Sequence, residues 1–432
     1  MKLKWDHYSD QPEVIRDKAF KKKIYKQTRW DSFKLLVTNI VIYPIAFLSY
    51  WLLPVEKSFA NTQNIKNFFG MSINLDKNPL ETKALIEELQ VESLLIRLPL
   101  SDIENLQTYI EFAEQFEEQK ILINILQDRR HVEDLNLLHQ SLDQIFQQFS
   151  PLTKHFQIGN AINRKKWAFF SMGEYLAFYK VAYDLKKQTY PDLILLGSSI
   201  IDFEYYFTIQ TLFNRQKIYF NECSSLLYVD RRGAPENTQM ALDLRKKLHL
   251  LHSILRLSPK TGNKIIITET NWPIKNTAPY APTSEKECVS LDDHANFLVR
   301  YYLLALASGV VKSVYWHQLI APGYGLIDNR NDILKKYPAY YAFKTMISLL
   351  GNMEFIALTV KKKCYHATFK RLSNLDTDSE TIDVYWALEP SNIKTNNRQI
   401  ILRDGGSISS SKKHSETLTI GESPVYLLTK AS

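Results

Sequence analysis

From residue 67 to about residue 350 the chain repeats one pattern: a short apolar run, a polar loop, then a longer stretch with apolar residues at helical spacing. The apolar runs fall at residues 69–75, 93–98, 120–126, 156–160, 193–197, 217–220, 264–268 and 313–316. Their shortness and lack of alternation predict strands buried on both faces, as in a parallel sheet. Helical patterns lie between them, at 80–90, 103–118, 132–149, 173–189, 237–257, 291–307 and 338–350. Strands followed each time by helices imply parallel pairing with right-handed crossovers. Eight such units in about 285 residues predict a closed (β/α)8 TIM barrel. An open dinucleotide-binding sheet would want a glycine-rich turn after its first strand, and Asn74-Leu75-Asp76-Lys77-Asn78 has no glycine.

After Gly351 the period shortens to two. Runs at 365–370, 382–388, 399–402 and 425–428 are separated by Asn, Ser and Gly clusters, which predicts a C-terminal antiparallel β-sandwich-like domain packed on the barrel. Strands from just before the barrel are expected to join it.

Residues 1–60 follow neither pattern. Lys18, Lys21, Lys22, Lys23 and Lys26 lie between Arg16 and Arg29, opposed only by Asp17, and residues 35–54 then run without a charge. As a helix that run is about 30 Å long, the hydrocarbon thickness of a bilayer. A basic flank before one apolar span predicts a single-pass anchor in a bacterial inner membrane, with the amino terminus cytoplasmic and the barrel periplasmic. The other arrangement is an N-terminal helix lying in the membrane plane or packed on the barrel, its basic run on anionic lipid and the protein peripheral on the cytoplasmic face. The expected division is therefore 1–60, basic segment and membrane helix; 61–350, barrel; and 351–432, β domain.

Composition refines this picture in three places. With 432 residues and 45% hydrophobic content, the chain can bury a large core. Much of the net charge of +8 sits beside the apolar span rather than among aromatics on a sheet, so no nucleic-acid partner is expected. Cys223, Cys288 and Cys364 are odd in number and far apart, which predicts free thiols. No phosphate loop, zinc spacing or calcium loop is present, so neither a metal nor another cofactor is expected.

In a barrel, chemistry sits at the carboxyl ends of the strands. The stretch Lys264-Ile-Ile-Ile-Thr-Glu-Thr-Asn-Trp-Pro273 ends its apolar run abruptly at Glu269, the first candidate. By position, the others are Arg97 after strand two, Asn160, Asn163 and Arg164 after strand four, and Asp202 and Glu204 after strand five. Glu222, Tyr228, Asp230, Arg231 and Arg232 are expected after strand six, Trp272 after strand seven, and Trp316 and His317 after strand eight.

Several of these residues resemble the pattern of clan A of the retaining glycoside hydrolases. Ile266-Ile-Thr-Glu-Thr-Asn-Trp272 is similar to that clan's nucleophile strand, Leu227-Tyr228 falls where it places a tyrosine on the nucleophile, and Trp316 matches its aromatic platform. Gly325-Leu-Ile-Asp328 with Tyr337-Pro-Ala-Tyr-Tyr-Ala-Phe343 resembles its last loop and helix, and Arg97 falls where many members hold an arginine. The resemblance spans residues 67–350. It implies Glu269 as nucleophile, Tyr228 as its hydrogen-bond donor, and a carbohydrate substrate.

The pattern breaks at strand four. Phe156-Gln-Ile-Gly-Asn-Ala-Ile-Asn-Arg164 keeps the clan's asparagine as Asn160, but the acid/base glutamate is replaced by Ala161. A methyl group cannot protonate a leaving group, a step worth on the order of 100- to 10,000-fold. The two-carboxylate mechanism, with carboxyls about 5 Å apart, cannot be assembled from these positions. Three explanations fit: a mutated site, a non-catalytic glycan-binding or scaffold protein, or an acid supplied from elsewhere. Glu222, Asp202, Glu204 and Asp230 are the candidates within the chain, and a second protein subunit is another source.

Seven arginines, at 97, 129, 130, 164, 231, 232 and 330, are expected near the catalytic face, and guanidinium groups bind carboxylate or phosphate in a bidentate way. They point to an anionic glycan or glycolipid, unless each is paired within the chain. With a membrane helix, this predicts a glycosidase of the bacterial envelope, acting for example on a 3-deoxy-octulosonic acid (Kdo) residue of a lipopolysaccharide core.

Overall fold

A computed structural model describes residues 4–53, 65–229, 233–371, 380–396, 398–408 and 417–429. Eight parallel strands close into a barrel: β1 (Phe69–Ile73), β2 (Ser93–Pro99), β3 (Lys120–Leu126), β4 (His155–Ile158), β5 (Ile194–Ile201), β6 (Glu222–Leu226), β7 (Ile265–Thr270) and β8 (Val311–Trp316). Each pairs with the next, and β8 closes on β1. Leu95, Leu122, Leu196, Ile266 and Tyr315 form a separate apolar layer inside the barrel. Gly70 makes room for it, since a Cβ there would lie 2.5 Å from the Tyr315 ring.

The sixth strand differs from expectation. The apolar run 217–220 is not a barrel strand; Phe220 is buried and bridges to Thr261 instead. The strand itself is Glu222-Cys-Ser-Ser-Leu226, and its Ser224 hydroxyl lies 2.6 Å from that of Ser199 and 3.2 Å from the Gly197 carbonyl. Hydrogen-bonded serines inside a barrel leave no hydrophobic pattern to read.

Behind the barrel lies a six-stranded sheet, which includes Glu354–Lys361, Cys364–Lys370, Thr381–Ala387 and Val425–Leu428, all antiparallel. The two-stranded ribbon Ser391–Lys394 and Thr417–Ile420 packs Ile393 and Ile420 against Ala387 and Leu427. Among the described residues every strand of this domain follows the barrel, so the expected contribution from before it is not seen; residues 54–64 lie outside the described residues. Arg300, fully buried on helix Leu291–Ser308, makes a two-pronged bond to Glu236 at 2.9 and 2.5 Å and reaches Glu422 at 3.1 Å. The Trp386 indole N–H also donates to Glu236, at 2.7 Å, which ties the sheet to the barrel.

The amino-terminal helix α1 (Lys18–Leu52) begins at Asp17, whose carboxylate accepts the amides of Ala19 and Phe20. It is long and apolar enough to cross a membrane, but it lies along the barrel, against helices Tyr205–Leu212 and Leu244–Arg256. Ala46 is buried in the main core with Ile42, Tyr43, Phe47 and Tyr50 packed beside it, and Asn39 donates to the Tyr206 carbonyl at 3.0 Å. Nearer its start, Phe20 meets Phe170, and the Asp31 carbonyl accepts from Gln210 at 3.3 Å. Residues preceding α1 reach the barrel mouth as well (below). The expected span with the amino terminus and the barrel on opposite sides is at odds with this packing, because both flanks of the helix sit on the same barrel. The helix instead shows solvent a stripe that includes Trp30, Phe33, Val37, Val41, Leu48 and Trp51.

Candidate active site

Glu269 is the penultimate residue of β7, at the carboxyl end of the barrel. Its Oε1 accepts from the Tyr228 hydroxyl at 2.5 Å and its Oε2 from Asn160 Nδ2 at 3.4 Å. Asn160 is itself fixed. Its backbone N–H donates to Gln127 Oε1 at 2.9 Å, and its side-chain oxygen accepts from Gln157 at 3.1 Å and Asn124 at 3.3 Å. With that oxygen engaged by donors, the NH2 group is the end left to face Glu269.

Glu269 borders a cavity of about 180 Å³ that is also lined by Arg97, Arg164, Trp167, Tyr228, His317 and Tyr324. His317 and Tyr324 stack at 5.5 Å. Burial holds the His317 imidazole below its ordinary value, although Glu269 and Asp10 pull the other way.

The cavity has an unexpected wall. Residues before α1 form a short hairpin, with Trp5 paired to Pro12 and Asp6 to Gln11, that covers the barrel mouth. Gln11 accepts from Lys166 at 2.7 Å and donates to the Pro282 carbonyl at 3.3 Å. Asp10, in the left-handed region at φ 52° and only 7% exposed, accepts from Arg97 Nη1 at 2.6 Å, Asn74 Nδ2 at 2.9 Å and Gln318 Nε2 at 3.4 Å. Burial pushes the Asp10 carboxyl up, but Arg97, Lys77 and His317 outweigh it and hold it below the ordinary carboxylate range.

Ala161 is fully buried among Leu126, Trp167, Ile201, Leu226 and Tyr228, and Trp5 packs on this cluster. The place of the acid in the clan pattern is thus apolar and covered. Among the described residues, the carboxylates lining the cavity are Glu269 and Asp10.

Other expected site residues fall elsewhere. Glu222 opens β6 rather than following it, so it sits toward the amino end of the barrel, 2.5 Å from Lys312 near the start of β8. It cannot serve Glu269 as an acid or base from there. Arg164 bonds Asp202 at 2.5 Å and Glu204 at 2.7 Å, while Asn163 bridges Ile201 and Glu204. These four clamp the loops after β4 and β5, and Asp202 and Glu204 are engaged there as acceptors. Trp272 and Trp316 are buried, stacked on each other at 6.1 Å, and form no platform in the cavity; Trp167, Tyr228 and Tyr324 present rings there instead. Asp230, Arg231 and Arg232 lie outside the described residues.

The arginine census also changes. Arg129 pairs with Glu174 and Glu133, Arg130 with Asp128, and Arg330 with Asp328. Arg97 is the exception in kind, because its partner Asp10 comes from outside the barrel. Sequence reasoning missed Asp10 and Trp5: the segment Trp5-Asp-His-Tyr-Ser-Asp10 is polar, precedes the membrane-like helix, and carries no signal placing it at a barrel mouth.

No family model matches the chain, and no curated protein matches it in sequence. Its structure is similar to that of a family 39 glycoside hydrolase from the gut symbiont Bacteroides cellulosilyticus WH2, with a TM-score of 0.64 and 16% identity over 87% of this chain and 82% of that one. It is also similar to a GH30 endoxylanase from Clostridium papyrosolvens C71, with a TM-score of 0.56 and 10% identity over 87% of this chain and 98% of that one. A GH39 β-xylosidase from Caulobacter crescentus gives 0.55 and 11% identity over 86% and 98%. What these similarities show is a shared fold, which in this chain is a (β/α)8 barrel with an antiparallel β domain behind it.

Proposed function

We propose that the protein is a membrane-associated glycoside hydrolase with Glu269 as its nucleophile, acting on an anionic glycan of the bacterial envelope such as a Kdo-type sugar. The observation that carries this reading is the pair of donors, Tyr228 and Asn160, that hold both oxygens of Glu269 at the edge of the cavity. In the retaining reaction the carboxylate attacks the anomeric carbon as the glycosidic C–O bond breaks, and water then hydrolyses the glycosyl ester. Neutral donors orient the attacking oxygen without taking its charge. Since Ala161 has no proton to give, the departing oxygen takes its proton from water, which favours good leaving groups.

Membrane association is supported by α1. Its apolar stripe continues the face on which Lys22, Lys23 and Lys26 are exposed, so a helix lying in the membrane plane would put the lysines on anionic headgroups and the stripe into the acyl boundary. The test is sugar release from envelope glycolipid extracts by the purified full chain. Release by wild type that is lost in Glu269→Gln supports the reading, and equal release by both contradicts it.

The covered, apolar setting of Ala161 favours a second reading, glycan binding without hydrolysis. It predicts retention of the glycan on both wild type and Glu269→Gln, with no sugar released by either.

A further inference from the structure

The hairpin ahead of α1 seats a carboxylate in a set of buried donors at the barrel mouth. Asp10 meets a guanidinium and two side-chain amides, all donors, at 2.6, 2.9 and 3.4 Å. Each donor belongs to the barrel: Arg97 to β2, Asn74 to the end of β1, and Gln318 to the loop after β8. All three are at least nine-tenths buried, and Arg97 also feels the charge of Glu269. A buried guanidinium needs an anion, and with two amide N–H groups aimed at the same oxygen the site favours a carboxylate over a neutral group.

We propose that Arg97, Asn74 and Gln318 form the carboxylate subsite for an acidic sugar, and that Asp10 occupies it as a built-in substitute until the hairpin lifts. This rests on the functional reading above and adds where the sugar's acid docks and what must leave first. Several features fit a displaceable occupant. Among the described residues, besides the Asp10 bonds, the hairpin is tied to the rest of the protein by Gln11 to Lys166 and Pro282, by Trp5 against Trp167 at 5.7 Å and Arg97 at 5.8 Å, and by Tyr8 against Tyr280 at 5.4 Å. Trp5 packs on the Ala161 cluster and Asp10 sits among the three donors on the same short hairpin, so lifting the segment would open both positions. As seated, Asp10 is an ion and has no proton to donate, so it is an occupant and not a replacement acid.

The experiment is calorimetric titration of the full chain in detergent with two probes, free Kdo and its uncharged methyl ester. Asp10→Asn keeps the shape of the side chain and removes its charge, and Tyr8→Ala loosens the hairpin by removing its ring contact with Tyr280, away from the three donors. Relative to wild type, both variants should bind the acid about 10-fold more tightly or better, the scale of one charge-assisted hydrogen bond, with no gain for the ester. Equal acid affinity in wild type and the folded variants, or an equal gain for the ester, would overturn the proposal. Its failure is distinct from failure of the hydrolase reading: this test reads binding, whereas that one reads release that depends on Glu269.

Discussion

Glu222 and Glu269 stand on adjacent barrel strands, and the same side chain has opposite surroundings. Glu222 opens β6, is 2% exposed, and is paired with the Lys312 ammonium. Glu269 nearly ends β7, borders a cavity, and is held by a phenol and an amide. An ion pair toward the amino end of a barrel spends the carboxylate's charge on stability, whereas neutral donors at the mouth leave it to act on a ligand. Position along the strand, more than residue type, separates the two roles.

Glu269→Gln gives the largest expected effect. Turnover should fall by about 10,000-fold, on the scale of losing a nucleophile, while Glu222→Gln leaves kcat within a few-fold. A similar loss in both would erase the distinction. Tyr228→Phe comes next, expected to lower kcat by roughly 10- to 100-fold, the scale of one hydrogen bond to a charged group. Steady-state kinetics on envelope glycolipid reads both.

At the other end of the barrel the effects should appear in stability. Glu222→Ala is expected to lower unfolding free energy by about 1–3 kcal/mol, because it empties a buried position and removes the ion pair with Lys312. Glu222→Gln with Lys312→Met should recover part of what Glu222→Gln alone loses, measured by denaturant titration in a double-mutant cycle. Asp383 in the C-terminal sheet provides the smallest effect and a reference for a structural carboxylate. Burial raises it, but His366 and Arg398 hold it down at about 2. A depressed value contributes stability that is complete above the ordinary 3.8 and lost as pH falls through about 2, so Asp383→Asn should flatten thermal stability across that window. It should leave the pH profile of turnover unchanged.

The barrel was legible because its strands are unbroken apolar runs and its helices carry clear periodicity, and Glu269 because it cuts such a run short. Strand six was not, since its polar residues interrupt the apolar run, Ser224 bonding Ser199 and Glu222 pairing with Lys312, which also displaced Glu222 in the reading. The arginines looked like one anion-binding field because sequence does not show pairing; the structure engages Arg129, Arg130 and Arg330 with neighbours close in the chain or fold. Helix α1 was read correctly as apolar and membrane-like, but its contacts with the barrel depend on helices roughly 160–220 residues downstream. Asp10 was invisible for the same reason, as its partners are 64, 87 and 308 positions away.

The most direct test of the central claim is mass spectrometry of lipid-linked glycans from cells carrying the wild-type gene, Glu269→Gln, or a deletion. Wild-type cells should lack a sugar that the other two retain, with the mass difference matching an acidic residue. Glycans that are the same in wild type and Glu269→Gln but changed in the deletion would contradict hydrolysis at Glu269.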